Sequence, residues 1–320
     1  MAQLNMVQAI NLALRQEMER DDRVVVLGED VGVDGGVFRV TEGLQERFGA
    51  ERVIDTPLSE SAITGTAIGM AAYGLRPVAE IQFLGFLYGA MEQFFSHGAR
   101  IRARSRGRFN VPMVVRTPYG AGIKAPELHE ESTEAFFCHM PGIKVVIPSG
   151  PYTAKGLLTS ALRDPDPVLF LEPTRLYRLI REEVPEDEYT LPLGQARTVR
   201  QGNDVTIVAW GSMLERVLKS IGDVSADVID LLTLNPFDAE AILASVRKTG
   251  RAVIVHEALK TGGFGAEIAA TIAEEGILHL RAPVLRVAAP DVTMPLAKLE
   301  DSYLPTAAHI KKAIDEVMRY

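Results

Sequence analysis

The sequence predicts an α/β protein of two doubly wound domains, and three observations carry that expectation. Short β-branched runs such as "RVVVLG" at Arg23–Gly28 and "RAVIVHE" at Arg251–Glu257 are almost continuously apolar, the pattern of strands buried on both faces. Between such runs stand stretches with apolar residues at helical spacing, and strands alternating with helices build parallel sheets covered on both sides. The alternation stops once, from Arg181 to Asp204, where "REEVPEDEYTLPLGQARTVRQGND" is acidic, contains proline and lacks apolar periodicity. A larger domain is therefore expected over residues 1–185, a connection over 186–203 and a smaller domain over 204–320.

Each element follows from local pattern. Met6, Ala9, Ile10, Ala13, Leu14 and Met18 recur at helical spacing and Asn5 can cap the start, which gives a first helix. After "RVVVLG" come a helix from Thr41, the strand "RVID", a helix from Glu60, the strand "PVAEIQF" and a helix over Met91–Arg102. Strands "PMVVR" and "KVVIP", a helix opened by Pro151 and the strand "PVLFLE" complete the first domain. The second repeats the scheme: "DVTIVAWG", a helix to Ile221, "ADVIDLL", a helix over Asp238–Lys248, "RAVIVHE", a helix after Gly265, "PVLRVAAP" and a last helix.

Composition narrows the class. At 320 residues with 47% hydrophobic and 24% charged residues, the chain can bury substantial cores. A net charge of −8 argues against nucleic acid and against anionic membranes, because phosphate binding draws on cationic side chains. The local exception, "RIRARSRGR" at Arg100–Arg108, has no interleaved aromatic for base stacking and reads as a solvated rim or subunit contact. One cysteine, Cys138, excludes an internal disulfide and a multi-thiolate metal site. No apolar run reaches the ~20 residues that span a bilayer. The first twenty residues read as an amphipathic helix of the fold rather than a signal or transit segment, so a soluble, cytoplasmic protein is expected.

Several catalytic signatures are missing. The chain has no G-x-x-x-x-G-K-[ST], no G-x-S-x-G and no H-E-x-x-H. "TGGFGAE" at Thr261–Glu267 lacks the G-x-G-x-x-G spacing and reads as a tight turn entering a helix, which disfavours a nicotinamide oxidoreductase. Six scattered histidines make a side-chain transition-metal site improbable.

In parallel sheets ligands bind beyond the carboxyl ends of the strands. Those ends hold Glu29, Leu58–Glu60, Phe83–Phe86 and the loop "TPYGAGIKAPELHEES". Glu60 opens a helix, "SAITGTAIGMAAYG", made almost wholly of small and apolar residues, with Gly65 and Gly69 four apart. Such a helix is suited to burial. Burial would raise the Glu60 carboxyl pKa and the helix N-terminus would lower it; the alternative is an ordinary solvated acid favoured by the helix dipole.

Taken in order and spacing, "LGEDV", "DTPLSE", "AEIQFLGF", "APELHEES", "VIDLLTLNPFD" and "KTGRAVIVHEA" resemble the beta subunit of the thiamine-diphosphate-dependent dehydrogenase component of 2-oxo acid dehydrogenase complexes, over nearly the whole chain. The resemblance implies a transketolase-type pyrimidine-binding domain followed by that superfamily's C-terminal domain. By it, Glu60 matches the glutamate that activates thiamine diphosphate through its aminopyrimidine ring, Phe86 and Leu58 match residues packed on that ring, and Glu29 matches a supporting acid. His129 matches a loop histidine that assists acyl transfer to lipoamide. Met113, Ala161, Leu162, Asp164 and Asp166 match a potassium site that braces this loop in some relatives.

The same resemblance implies partners. This sequence has no G-D-G, the motif that holds the cofactor's diphosphate through magnesium. That half-site is implied to come from an alpha subunit, in a heterotetramer of two alpha and two beta chains. Asp291 and the carboxylate at Tyr320 resemble a surface that docks the basic subunit-binding domain of the lipoyl-bearing acyltransferase core. "IQFLGFLYGAMEQ" is closer to pyruvate-type relatives than to branched-chain ones, which tend to read "IQFADYIFPAFDQ". A branched-chain enzyme and a non-catalytic assembly subunit are the alternatives.

Overall fold

The computed structural model describes Met1–Tyr320, and two sheets organise it. Strands β1 (Ala2–Leu4), β2 (Val24–Gly28), β3 (Val53–Asp55), β4 (Arg76–Glu80), β5 (Val114–Tyr119), β6 (Lys144–Val146), β7 (Val168–Pro173) and β8 (Glu182–Val184) come first. They are followed by β9 (Arg197–Arg200), β10 (Val205–Ala209), β11 (Ala226–Asp230), β12 (Thr233–Asn235), β13 (Ala252–Leu259) and β14 (Leu285–Ala289). The larger sheet runs β12-β6-β7-β5-β4-β2-β3 and is parallel except for β12; the smaller runs β14-β13-β10-β11-β9 and is parallel except for β9. β1 and β8 form a separate antiparallel pair. Every residue of β2, β5, β7, β10 and β11 is buried, which accounts for their mainly apolar sequences.

The first helix, Met6–Arg20, is fixed by a capping box: Asn5 accepts from the Gln8 amide at 2.9 Å and Gln8 accepts from the Asn5 amide at 3.1 Å. It packs on the helix Pro151–Arg163 across one face of the larger sheet. Helices Ala239–Thr249 and Gly265–Glu275 bury apolar stripes in the second domain, and Ala307–Val317 packs on Ser212–Ser220 across its other face. No helix is long and apolar enough to cross a membrane.

Four expectations are corrected. The helix expected from Thr41 spans only Leu44–Phe48, because Thr41 turns its hydroxyl onto the Val31 carbonyl at 2.7 Å and Gly43 enters at φ +76°. The expected Met91–Arg102 helix is a chain of short turns: 3₁₀ over Leu84–Ala90, α over Met91–Gln93, π over Phe94–Gly98 and α over Ile101–Arg104. "ADVIDLL" forms the expected strand of the second sheet only over Ala226–Asp230. The chain leaves it after Asp230 and adds β12 to the edge of the first, so the two domains share a sheet. Finally, β9 stands within the stretch read as connection. It is an edge strand whose order comes from ladder hydrogen bonds rather than from an apolar face, and periodicity therefore gives no sign of it.

Candidate active site

The loops after β2, β3, β4 and β5 meet at one edge. β2 lies between β3 and β4, so the chain leaves β2 toward one side of the sheet and β4 toward the other, which opens a crevice at their carboxyl ends. Hydrogen bonds close the loops: the Thr56 amide donates to the Gly28 carbonyl at 2.9 Å, and the Gly32 amide donates to the Asp55 carboxylate at 2.6 Å.

Two acids face this crevice. Glu29, the first residue past β2, is buried; burial raises its pKa first, and the neighbouring charges of Glu60 and Asp30 raise it further. Glu60 begins the helix Glu60–Ala72 and is half-buried. That helix buries Ile63, Thr64, Ala67, Ile68 and Ala71, whereas Ser61, Ala62, Thr66 and Gly69 remain exposed. The helix expected to be buried is thus buried on one face only, and its small-residue face is uncovered.

An aromatic wall stands beside the acids. Phe83 and Phe86 meet edge-to-face with ring centroids 5.5 Å apart, and the His129 ring lies 4.4 Å from Phe83 and 5.0 Å from Phe86. His129 Nδ1 bonds the Glu127 carbonyl at 2.9 Å. A carbonyl only accepts, so Nδ1 carries a proton and Nε2 is the basic nitrogen of the neutral ring. Gly85 is required for this approach: a Cβ there would lie 2.3 Å from the Leu128 carbonyl oxygen. Leu58, by contrast, is 78% exposed and packs on nothing that would bury it.

Beneath the wall lies a network that sequence reading missed. Arg116, 1% exposed, donates from Nε and Nη2 to Glu172 at 2.7 and 2.8 Å and from Nη1 to Glu80, and Tyr177 donates to Glu172 at 2.6 Å. Burial raises the Glu80 pKa, and Arg116 opposes that rise. Phe38 links the network to the wall, 5.0 Å from Tyr177 and 5.7 Å from Phe83. The signal was present: Glu80 closes β4 after Pro77–Ala79, Arg116 follows the apolar pair Val114–Val115 in β5, and Glu172 follows the apolar run Val168–Leu171 in β7.

Met113, Ala161, Leu162, Asp164 and Asp166 lie elsewhere. Met113 precedes β5, whose six residues span about 20 Å, while the His129 loop leaves the other end of that strand. These residues therefore do not brace the loop. Their carbonyls also have protein donors: Val168 N–H on Met113 at 3.0 Å, Asp164 N–H on Ala161 at 3.2 Å, and Arg76 Nη1 on Leu162 and Asp164 at 2.8 and 3.3 Å. Lys144 holds the Asp164 carboxylate at 2.7 Å, and Arg102 holds that of Asp166 at 2.6 Å. With a guanidinium where two of the carbonyls converge, the donor set does not fit a further cation. We assign no potassium ion to it.

The fold and the crevice define a two-domain α/β protein with a switch-point site at the edge of its larger parallel sheet. Residues 2–180 match the transketolase pyrimidine-binding domain family, and residues 194–310 match the transketolase C-terminal domain family. A solved split-gene transketolase, described as an inactive beta4 tetramer, shares the fold with a TM-score of 0.81 over 99% of each chain at 22% identity. The pyruvate dehydrogenase E1 component subunit beta of Bacillus subtilis strain 168 is 51% identical over 325 aligned residues, covering 100% of both chains. That of Acholeplasma laidlawii is 50% identical over 321 residues, covering 98% of each. The chain belongs to the family of pyruvate dehydrogenase E1 beta subunits, in the class of thiamine-diphosphate-dependent 2-oxo acid dehydrogenases.

Proposed function

We propose that this chain binds the pyrimidine half of thiamine diphosphate and, paired with an alpha subunit, decarboxylates pyruvate and passes the acyl group to a lipoyl carrier. The observation that carries the reading is the Glu29–Glu60 pair at the switch point of the sheet: Glu29 directly follows β2, and Glu60 opens the helix whose other face is uncovered. The pair fits a heterocycle with a ring nitrogen, because two neighbouring acids favour holding a proton between them. Thr56 Oγ1, between β3 and Glu60, is buried without a hydrogen-bond partner and offers a further polar contact.

When bound, thiamine diphosphate supplies the carbon nucleophile and electron sink for decarboxylation. Glu60 would hold a proton against the ring nitrogen, with Glu29, whose carboxyl burial and the Glu60 charge push upward, beside it to share that proton. Phe86 packs on the ring. Leu58 joins that contact once a partner chain covers it, which accounts for its exposure here. His129, through Nε2, moves the proton that accompanies acyl transfer. Arg116, Glu80 and Glu172 hold the strand ends that set the wall.

No group of three or more His, Cys, Asp or Glu side chains could hold a metal. In this reading the diphosphate and its magnesium are held by the alpha subunit, in an assembly of two alpha and two beta chains. The exposed Ala62, Thr66 and Gly69 face suits a closely approaching neighbour. Asp291, exposed on the second domain and bonded to Thr261 at 2.8 and 2.6 Å, and the carboxylate at Tyr320 suit a basic docking domain of the acyltransferase core. A cytoplasmic location agrees with the single unpaired Cys138.

Co-expression with the alpha subunit tests the reading. The complex is expected to decarboxylate pyruvate faster than 2-oxoisovalerate, and Glu60→Gln is expected to lower the rate by about 10²–10⁴-fold. Equal rates in Glu60→Gln and wild type would refute the assignment, and a preference for 2-oxoisovalerate would reassign the substrate to the branched-chain class.

A further inference from the structure

The loop that carries His129 is anchored from the second domain. Glu257, in β13, is 3% exposed, and its carboxylate reaches across the domain boundary. Oε1 accepts from the Ala121 amide and from Ser132 Oγ at 3.4 Å, while Oε2 accepts from Ser212 Oγ at 2.5 Å. Ala121 and Ser132 are the two feet of the loop, which the Gly120 amide closes onto the Glu131 carbonyl at 3.0 Å. Gly120 has φ +78°, and a Cβ there would lie 2.3 Å from Glu257 Oε1, so the acid needs a glycine beneath it.

Further contacts run the same way. Glu130, next to His129, is buried and accepts from the Ile123 and Ala125 amides at 3.1 and 3.2 Å. It faces the buried Glu300 of the second domain, and Lys124 reaches Asp301 at 3.3 Å. From the first domain, Tyr88 donates to Glu131 at 3.1 Å and approaches Thr133 Oγ1 at 3.0 Å. Behind the loop is a cavity of about 470 Å³ lined by Glu131, Thr133, Leu259, Met294 and Tyr303, which gives the loop room to shift once its feet are released.

We infer that Glu257 is a positioning residue: by clamping both feet of the 120–132 loop, the second domain sets the pose of the His129 ring against Phe83 and Phe86. The inference rests on the acyl-transfer role proposed for His129. A buried carboxylate that accepts three hydrogen bonds holds its donors in one geometry, and a displacement of about 1 Å at a reacting group costs up to about a hundredfold in rate.

The test uses the enzyme assembled with its alpha subunit and four variants: Glu257→Ala, Glu257→Gln, Ser132→Ala and His129→Ala. Two rates separate the steps, dye-linked decarboxylation and acyl transfer to a lipoyl domain, and amide hydrogen exchange reports residues 121–131. Glu257→Ala is expected to raise exchange in that segment and to cut lipoyl transfer by about tenfold or more while leaving the dye-linked rate within about twofold. Glu257→Gln should restore both readouts, because its amide can accept from Ala121 and donate to Ser212. Ser132→Ala, which removes one foot and leaves the core intact, should give a smaller change in the same direction. Wild-type exchange of 121–131 in both Glu257→Ala and Ser132→Ala overturns the inference. So does unchanged lipoyl transfer in them when His129→Ala lowers it. If His129→Ala leaves lipoyl transfer untouched, the histidine's proposed role fails, and raised exchange of 121–131 still supports the anchor.

Discussion

Glu60 illustrates how far a residue can be read in isolation. Its place at the head of a helix of small residues was legible, and so was its position past a strand end. The second acid beside it is a tertiary fact: Glu29 comes from a different loop, and only folding shows that each carboxylate lies in the field of the other. The Arg116 network was half-legible, since charges near the ends of apolar strands are conspicuous but their pairing is not. Arg116→Met leaves Glu80 and Glu172 buried without their cation. It is expected to destabilise the chain by ~3–5 kcal/mol, measured by denaturant unfolding, because an unpaired buried charge costs more than the pair contributes. A loss below about 0.5 kcal/mol would show that water reaches the site.

Elements were read best where burial is two-sided. β2, β7 and β10 announce themselves as largely apolar runs, and the helix capped by Asn5 begins where its cap predicts. Reading failed where order comes from something other than an apolar face. β12 joins a sheet that its neighbours in sequence do not belong to, and the Leu84–Arg104 stretch breaks into short turns around the close contacts of Gly85 and Gly98. The exposed face of Glu60–Ala72 leads to a prediction at this scale. A Cβ at Gly69 would meet nothing within 4 Å, so Gly69→Leu should fold as well as wild type by circular dichroism. The bulk on that face should nevertheless reduce association with the alpha subunit in analytical ultracentrifugation. Undiminished association would place the subunit contact elsewhere.

The whole molecule stores ionisable groups in its interior, and their signs set its pH dependence. Burial pushes the Glu134 carboxyl up to about 8, burial and Glu130 push Glu300 up to about 7, and burial pushes Asp230 up to about 6. Each is raised above its unfolded value, so its contribution is complete below the ordinary carboxylate range and is lost as pH rises through these values. His256 is the opposite case: burial lowers it to about 4, so its contribution is present above its ordinary value of 6.5 and is lost as pH falls toward 4. With three carboxyls against one imidazole, the Tm of the isolated chain should fall between about pH 5.5 and about pH 8.5. A rising Tm over that window would mean that these acids are hydrated in solution.

At this scale, too, the proposed function makes the chain one part of a larger site. It has the acid pair, the aromatic wall and the anchored histidine loop, and no side-chain cluster for the metal that a diphosphate brings. Titration calorimetry with thiamine diphosphate and magnesium addresses this most directly, performed on the chain alone and again after assembly with its alpha subunit. The expected result is no measurable binding by the isolated chain and one cofactor per alpha–beta pair after assembly, abolished or greatly weakened by Glu60→Gln. One cofactor bound per chain in the absence of any partner would contradict it.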